Sequence, residues 1–130
     1  MKPETLIQYA VDAMQRAYAP YSGYTVGAAL LAADGAVYQG CNIENAAFSP
    51  TICAERTAFA KAVSQGQRDF VAMAVCGGKG GKIENICTPC GVCRQVMAEF
   101  CKPDFKVYMV KPGGWEERTL SQLLPDSFVL

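Results

Sequence analysis

The chain has 130 residues, enough for one domain (residues 1–130) with a substantial core and too few for two. Twelve Lys and Arg balance twelve Asp and Glu without a basic run, which excludes the basic face a nucleic acid partner requires, and no apolar stretch reaches the length of a membrane span. Histidine is absent, so no Ser-His or Cys-His nucleophile pair can form, and proton chemistry must use a tuned carboxylate or a metal-bound water.

The predicted elements begin at Pro3, where Leu6, Ile7, Ala10, Val11, Met14, Ala17 and Tyr18 follow a helical period that stops before Pro20. Pro20-Tyr21-Ser22-Gly23 reads as a turn. Tyr24 to Ala32 and Ala36 to Cys41, joined through Asp34-Gly35, form a hairpin. The small residues Gly27, Ala28 and Ala29 predict a helix packed closely on its first strand. The second strand runs into Asn42-Ile43-Glu44-Asn45, where a period of two puts Asn42 and Glu44 on one face. An amide and a carboxylate so placed can grip sugar hydroxyls; a polar turn capping the strand is the simpler alternative.

A helix that begins near Cys53 runs to about Ser64 and closes at Gly66. Phe70 to Cys76 is almost continuously apolar, as in a strand covered on both faces. Gly77-Gly78-Lys79-Gly80-Gly81-Lys82 is one residue short of a phosphate loop, and Ile83 lacks the hydroxyl that binds magnesium, so this segment is predicted as a flexible surface loop. A helix from Cys90 buries Val92, Val96, Met97 and Phe100, and Phe105 to Val110 is a second two-sided strand. Pro112-Gly113-Gly114-Trp115 is a turn or short hairpin, and Thr119 caps a brief helix, Leu120 to Leu124, ended by Pro125. The tail from Asp126 to Leu130 is unusually apolar and places Phe128 against the domain or a neighbouring subunit. This order predicts a mixed sheet with helices on both faces. Apolar residues make up 51% and charged ones only 18%, which predicts further burial in an oligomer.

The chemistry centres on Cys53-Ala54-Glu55-Arg56 and Pro89-Cys90-Gly91-Val92-Cys93. Pro89 suits a helix start, and Cys90 and Cys93 share one face of its first turn; Cys53 opens the apolar run Ala54, Ala58, Phe59, Ala62 in the same way. Two helix N-termini, each favouring thiolate over thiol, then point at one ion. Zinc held by three protein ligands keeps a fourth position for water and lowers its pKa to about 7. Glu55 would stand beside that position as proton carrier, as in zinc deaminases generally. Three thiolates leave the site with a net negative charge, which Arg56 would offset by hydrogen bonding to sulfur. The alternative is a closed structural site with Cys41, Cys76, Cys87 or Cys101 as fourth ligand. Against it, Cys53 has no partner at C-x-x-C spacing. The fourth cysteine of a ferredoxin-type cluster would fall at Met97, which excludes that pattern. Seven cysteines behind a start, Met1-Lys2-Pro3-Glu4-Thr5, that lacks an apolar signal region predict reduced thiols and a cytoplasmic protein.

Cys53-Ala54-Glu55-Arg56-Thr57, Pro89-Cys90-Gly91-Val92-Cys93-Arg94-Gln95 and Gly40-Cys41-Asn42-Ile43-Glu44-Asn45-Ala46 together resemble the small homotetrameric cytidine deaminases, from Tyr18-Ala19-Pro20-Tyr21-Ser22 to Leu123-Leu124-Pro125. The resemblance implies a three-layer α/β/α fold with a mixed central sheet of about five strands. It also implies one zinc ion per chain on Cys53, Cys90 and Cys93. Glu55 would deprotonate the zinc-bound water, which attacks C4 of the cytosine ring, and would pass protons to N3 and then to the departing amine. Asn42 and Glu44 would hold the ribose 3′-hydroxyl, and the Ala54 N–H would bind the base. Tyr24 and Phe128 would wall the pyrimidine, Phe128 in the site of its own chain or in that of a neighbouring subunit. The implied function is hydrolysis of cytidine and 2′-deoxycytidine in pyrimidine salvage.

The chain departs from the family pattern, which often carries phenylalanine at position 24 and tyrosine at position 48; here they are Tyr24 and Phe48. The segment from Gly78 to Thr88, with its extra Cys87, does not match. Two alternatives compete with a cytidine deaminase. A deaminase of another aminopyrimidine nucleoside, such as blasticidin S, shares the cysteine motifs but has less use for Asn42 and Glu44. A non-catalytic zinc-stabilised scaffold has no use for Glu55.

Overall fold

The structure, a computed structural model, describes residues 1–130. In chain order the elements are α1 (Pro3–Met14), β1 (Tyr24–Ala32), β2 (Val37–Cys41), α2 (Ala54–Ser64), β3 (Phe70–Lys79), α3 (Gly91–Phe100), β4 (Lys106–Lys111), β5 (Gly114–Thr119) and α4 (Leu120–Leu123). The sheet runs β2-β1-β3-β4-β5, parallel only between β3 and β4, whose connection carries α3. The expected mixed sheet of about five strands is present.

Strand alternation divides the core into two layers. Ala28 and Leu30 of β1, with Met73 and Val75 of β3 and Val107 of β4, face α2 and α3, where they meet Ala58, Phe59 and Met97. Ala29 and Leu31, with Ala72, Ala74 and Cys76, face α1 through Leu6, Ala10 and Met14. The sheet is therefore covered on both faces, giving the expected α/β/α layering. Two glycines let the helices lie close. A Cβ at Gly27 would strike the Ala10 carbonyl and the Met14 backbone, and one at Gly40 would strike the Ala54 carbonyl and the Ala58 amide. Gly27 is the close approach that the small residues of β1 predict, and α1 fills it.

Several boundaries differ from the sequence reading. α1 stops at Met14 rather than continuing through Tyr18, because the Tyr18 backbone pairs with the segment after β2: its N–H donates to the Asn42 carbonyl at 2.9 Å and its carbonyl accepts from the Glu44 N–H at 2.8 Å. The glycine-rich stretch is only partly a loop. Gly77, Gly78 and Lys79 continue β3, in register with Val26, Thr25 and Tyr24. Gly78 has no room for a side chain because the Lys82 carbonyl folds over it. Of the two readings of Pro112-Gly113-Gly114-Trp115 the hairpin is the one present, with Trp115 in its second strand, β5. On α3 Met97 is buried as expected, whereas Val92 is 59% exposed on the outward side of the first turn. Thr119 caps α4 in a reciprocal box with Gln122, and that helix ends at Leu123.

Candidate active site

The segment between β2 and α2 and the segment between β3 and α3 both end on a cysteine. Cys53 is the N-cap of α2 and Cys90 the N-cap of α3, each with extended backbone angles and neither with a side-chain capping hydrogen bond. They stand one residue before the first helical turn, not inside it. Each sulfur thus lies at the electropositive end of a helix. Cys93, one turn into α3, completes the group: the three Sγ atoms lie within 4.8 Å of one another, with Cys53 to Cys90 at 3.8 Å and Cys90 to Cys93 at 3.5 Å. A tetrahedral zinc with bonds of about 2.3 Å separates its sulfurs by about 3.8 Å, so the donor set fits one Zn²⁺. Cys41, Cys76, Cys87 and Cys101 stay outside the cluster. No fourth cysteine therefore closes the group, and a tetrahedral ion held by these three sulfurs would keep one position for solvent or substrate.

Electrostatics point the same way. The Cys53 thiol is pulled down to about 5 by a hydrogen bond from Cys93, with help from Arg56 and Cys90. Cys93 is driven far above the usual thiol range, first by that same hydrogen bond and then by burial. Without a cation the clustered sulfurs cannot all ionise together, a conflict that a divalent ion would remove. Arg56 brings Nη2 within 3.5 Å of Cys53 Sγ, the sulfur contact expected of it, while its buried Nε has no partner.

Glu55 is the single charged side chain in the core, at 4% exposure. Burial, reinforced by the charge of Cys53, pushes its carboxyl up to about 7. It lines a cavity of about 320 Å³ together with Tyr24, Asn42, Cys53, Ala54 and Cys90. Ala54 is the first residue of α2, so its N–H has no intrahelical acceptor by position. The sequence reading did not name Val26, Thr51, Ile52, Ile86 and Thr88, which also line the cavity. They sit on strand ends and loops with no distinctive spacing. Cys87 is buried in the same wall, its thiol pushed up to about 12 by desolvation.

Asn42 and Glu44 lie apart but in contact with one continuous surface. Asn42 lines the main cavity; Glu44 lines an adjoining hollow with Tyr21, Ser22 and Phe48, and Thr51 borders both. Asn42 clamps the start of β1, with Oδ1 accepting from the Val26 N–H at 2.9 Å and Nδ2 donating to the Tyr24 carbonyl at 2.8 Å. Glu44 Oε1 accepts from the N–H groups of Tyr21 and Ser22 at 2.9 and 3.1 Å, and the Ser22 hydroxyl donates to Oε2. These donors, the hydroxyl first, hold its carboxyl below the usual range. Phe128 does not reach the cavity of its own chain. The residue is 66% exposed, and its carbonyl accepts from Gln95 at 3.4 Å.

Comparison with known proteins bears on this geometry. The family described as the cytidine and deoxycytidylate deaminase zinc-binding region matches residues 1–109. A cytidine deaminase of Sporosarcina psychrophila is 53% identical over 129 residues, covering 98% of this chain and 92% of the relative. One from Halalkalibacterium halodurans is 50% identical over 129 residues, covering 98% and 95%. The crystal structure of cytidine deaminase from Burkholderia pseudomallei superposes with a TM-score of 0.91 at 44% identity, covering 98% of this chain and all of that one. Its fold matches the α/β/α layering and five-stranded sheet described above.

Proposed function

The chain belongs to the cytidine and deoxycytidylate deaminase family, and on that premise we propose that it is a zinc-dependent hydrolase that converts cytidine and 2′-deoxycytidine to the corresponding uridines with release of ammonia. The observation that carries the reading is a nearly fully buried carboxyl, Glu55, in the cavity wall beside a cluster of three cysteine sulfurs that no fourth cysteine joins. When bound to Cys53, Cys90 and Cys93, zinc supplies a Lewis acid that lowers the pKa of water to near neutrality.

The remaining work falls to the chain. Glu55, poised to titrate near neutrality, accepts the proton of the attacking water and delivers protons to N3 of the ring and then to the leaving amine. The Ala54 N–H binds the base. Tyr24 walls the pyrimidine, and Asn42 and Glu44 receive the sugar. Arg56 offsets the surplus negative charge of the thiolates. The exposure of Phe128 supports its reaching the site of a neighbouring copy, in a homotetramer as the working assembly. No helix is long and apolar enough to cross a membrane. With seven cysteines, none in a disulfide, the chain suits the reducing cytoplasm, where residues 1–130 act as one deaminase domain in pyrimidine salvage.

The test is loss of ultraviolet absorbance at the cytosine band when cytidine meets zinc-quantified protein, with Glu55→Gln in parallel. Loss with the wild type alone, at about one zinc per chain, is the expected result. An unchanged spectrum at full zinc occupancy rejects the reading.

A further inference from the structure

Tyr24 connects the two sugar-directed side chains through its own peptide groups. Its carbonyl accepts from Asn42 Nδ2 at 2.8 Å, and its N–H donates to Ser22 Oγ at 3.0 Å. A hydroxyl carries one proton. With its oxygen already accepting from Tyr24, Ser22 directs that proton to Glu44 Oε2, at 2.5 Å. Three hydrogen bonds and the Tyr24 backbone therefore link Asn42 through Ser22 to Glu44, all exposed or half-buried groups. The backbone of Glu44 is fixed separately, its N–H donating to the Tyr18 carbonyl at 2.8 Å.

From this geometry we infer that Ser22 is a positioning residue for sugar recognition, holding the Glu44 carboxylate in register with Asn42. The inference rests on the reading of Glu44 as the group that receives the 3′-hydroxyl. The two backbone donors, Tyr21 and Ser22, both engage Oε1 and leave the carboxylate free to swing about that atom. The Ser22 hydroxyl is the contact that fixes Oε2, whose remaining lone pairs are the acceptors open to a sugar hydroxyl in the hollow lined by Glu44. Its partner is accordingly a donor, a hydroxyl of the nucleoside sugar. Because the contact is the same in ground and transition states, Ser22 acts on KM rather than on kcat.

The experiment compares steady-state kinetics of zinc-loaded wild type, Ser22→Ala, Ser22→Thr and Glu44→Ala on cytidine and on 3′-deoxycytidine. Expected for Ser22→Ala is a KM for cytidine raised about tenfold, the scale of one hydrogen bond to a charged group, with kcat within about twofold. On 3′-deoxycytidine the same variant matches wild type, and Ser22→Thr, which keeps the hydroxyl at an exposed position, restores the cytidine KM. Three results overturn the inference: an unchanged cytidine KM in Ser22→Ala, an equal rise on both substrates, or failure of the threonine variant to rescue. Glu44→Ala separates the two layers of the argument. If it discriminates between the two nucleosides while Ser22→Ala does not, only the role of Ser22 falls; if it does not discriminate, the sugar-binding reading of Glu44 falls and takes the inference with it.

Discussion

On one face of the sheet α1 lies against Gly27, and on the other α2 lies against Gly40; at both places a methyl would collide with helix backbone. The same device serves different ends. The α1 layer is built from Leu6, Ala10, Met14, Ala29 and Ala74 and buries no carboxylate. The α2 and α3 layer, built around Phe59 and Met97, also holds the buried Glu55, three clustered thiols and an arginine nitrogen with no partner. Where a helix merely covers a sheet, its N-terminus is free to lie in solvent. Where two helix N-termini converge, a buried carboxyl, three clustered thiols and an unpartnered arginine nitrogen lie together.

The sharpest contrast comes from Glu55→Gln. We expect kcat to fall by about 10²–10⁴, the range for losing a general acid–base group, with zinc content unchanged, as measured by the absorbance assay and metal analysis. Zinc-free protein should show a pH signature of the same group. Native Glu55 keeps its proton to about 7 whereas the ordinary carboxyl value is 4.5. The unfolded chain therefore releases that proton first, and the stability contributed by Glu55 falls as pH rises through this window and is constant on either side of it. Chemical denaturation should show wild type losing about 3 kcal/mol relative to Glu55→Gln across the window. Equal slopes for the two proteins would place Glu55 in a wetter site than its burial indicates.

Arg56→Gln should weaken zinc retention about 10- to 100-fold in chelator competition, the scale for losing a partner of a metal ligand. The smallest structural effects come from the paired glycines. Gly27→Ala and Gly40→Ala should each cost about 1–3 kcal/mol in thermal or denaturant unfolding. They should part company in activity per folded molecule. Gly40→Ala shifts the N-terminus of α2, with Cys53 and Glu55, and lowers turnover; Gly27→Ala leaves turnover intact. Equal activity losses would dissolve the distinction between the two faces.

The sulfur cluster and Glu55 were legible because cysteine at helix starts, with a carboxylate two residues on, leaves a spacing that few other structures need. The bounds of β1, Tyr24–Ala32, were legible too, since a turn precedes an apolar run. Glycine misled at Gly77 and Gly78, which read as breakers; here glycine is what lets a strand continue beneath the Lys82 carbonyl. The end of α1 was hidden because Tyr18 is drawn into pairing by Asn42 and Glu44, a long-range contact that overrides a local helical period. Glu44 and Asn42 were seen as a pair, but their division between two adjoining hollows depends on how the 18–26 segment folds over them. The Ser22 link was invisible for the same reason: a serine in a turn is common, and only the fold shows which carboxylate it meets.

Cys53 and Cys90, the two N-caps, are 37 positions apart. An ion that joins them therefore closes a loop containing the whole of α2 and β3, and in chain-entropy terms a cross-link of that span removes roughly 4 kcal/mol of freedom from the unfolded state. The metal is in this sense a reversible staple on the chain as well as part of its chemistry. Loss of the ion should loosen the α2–β3 span before the α1 side of the sheet, so that hydrogen exchange in zinc-free protein rises first between these two cysteines.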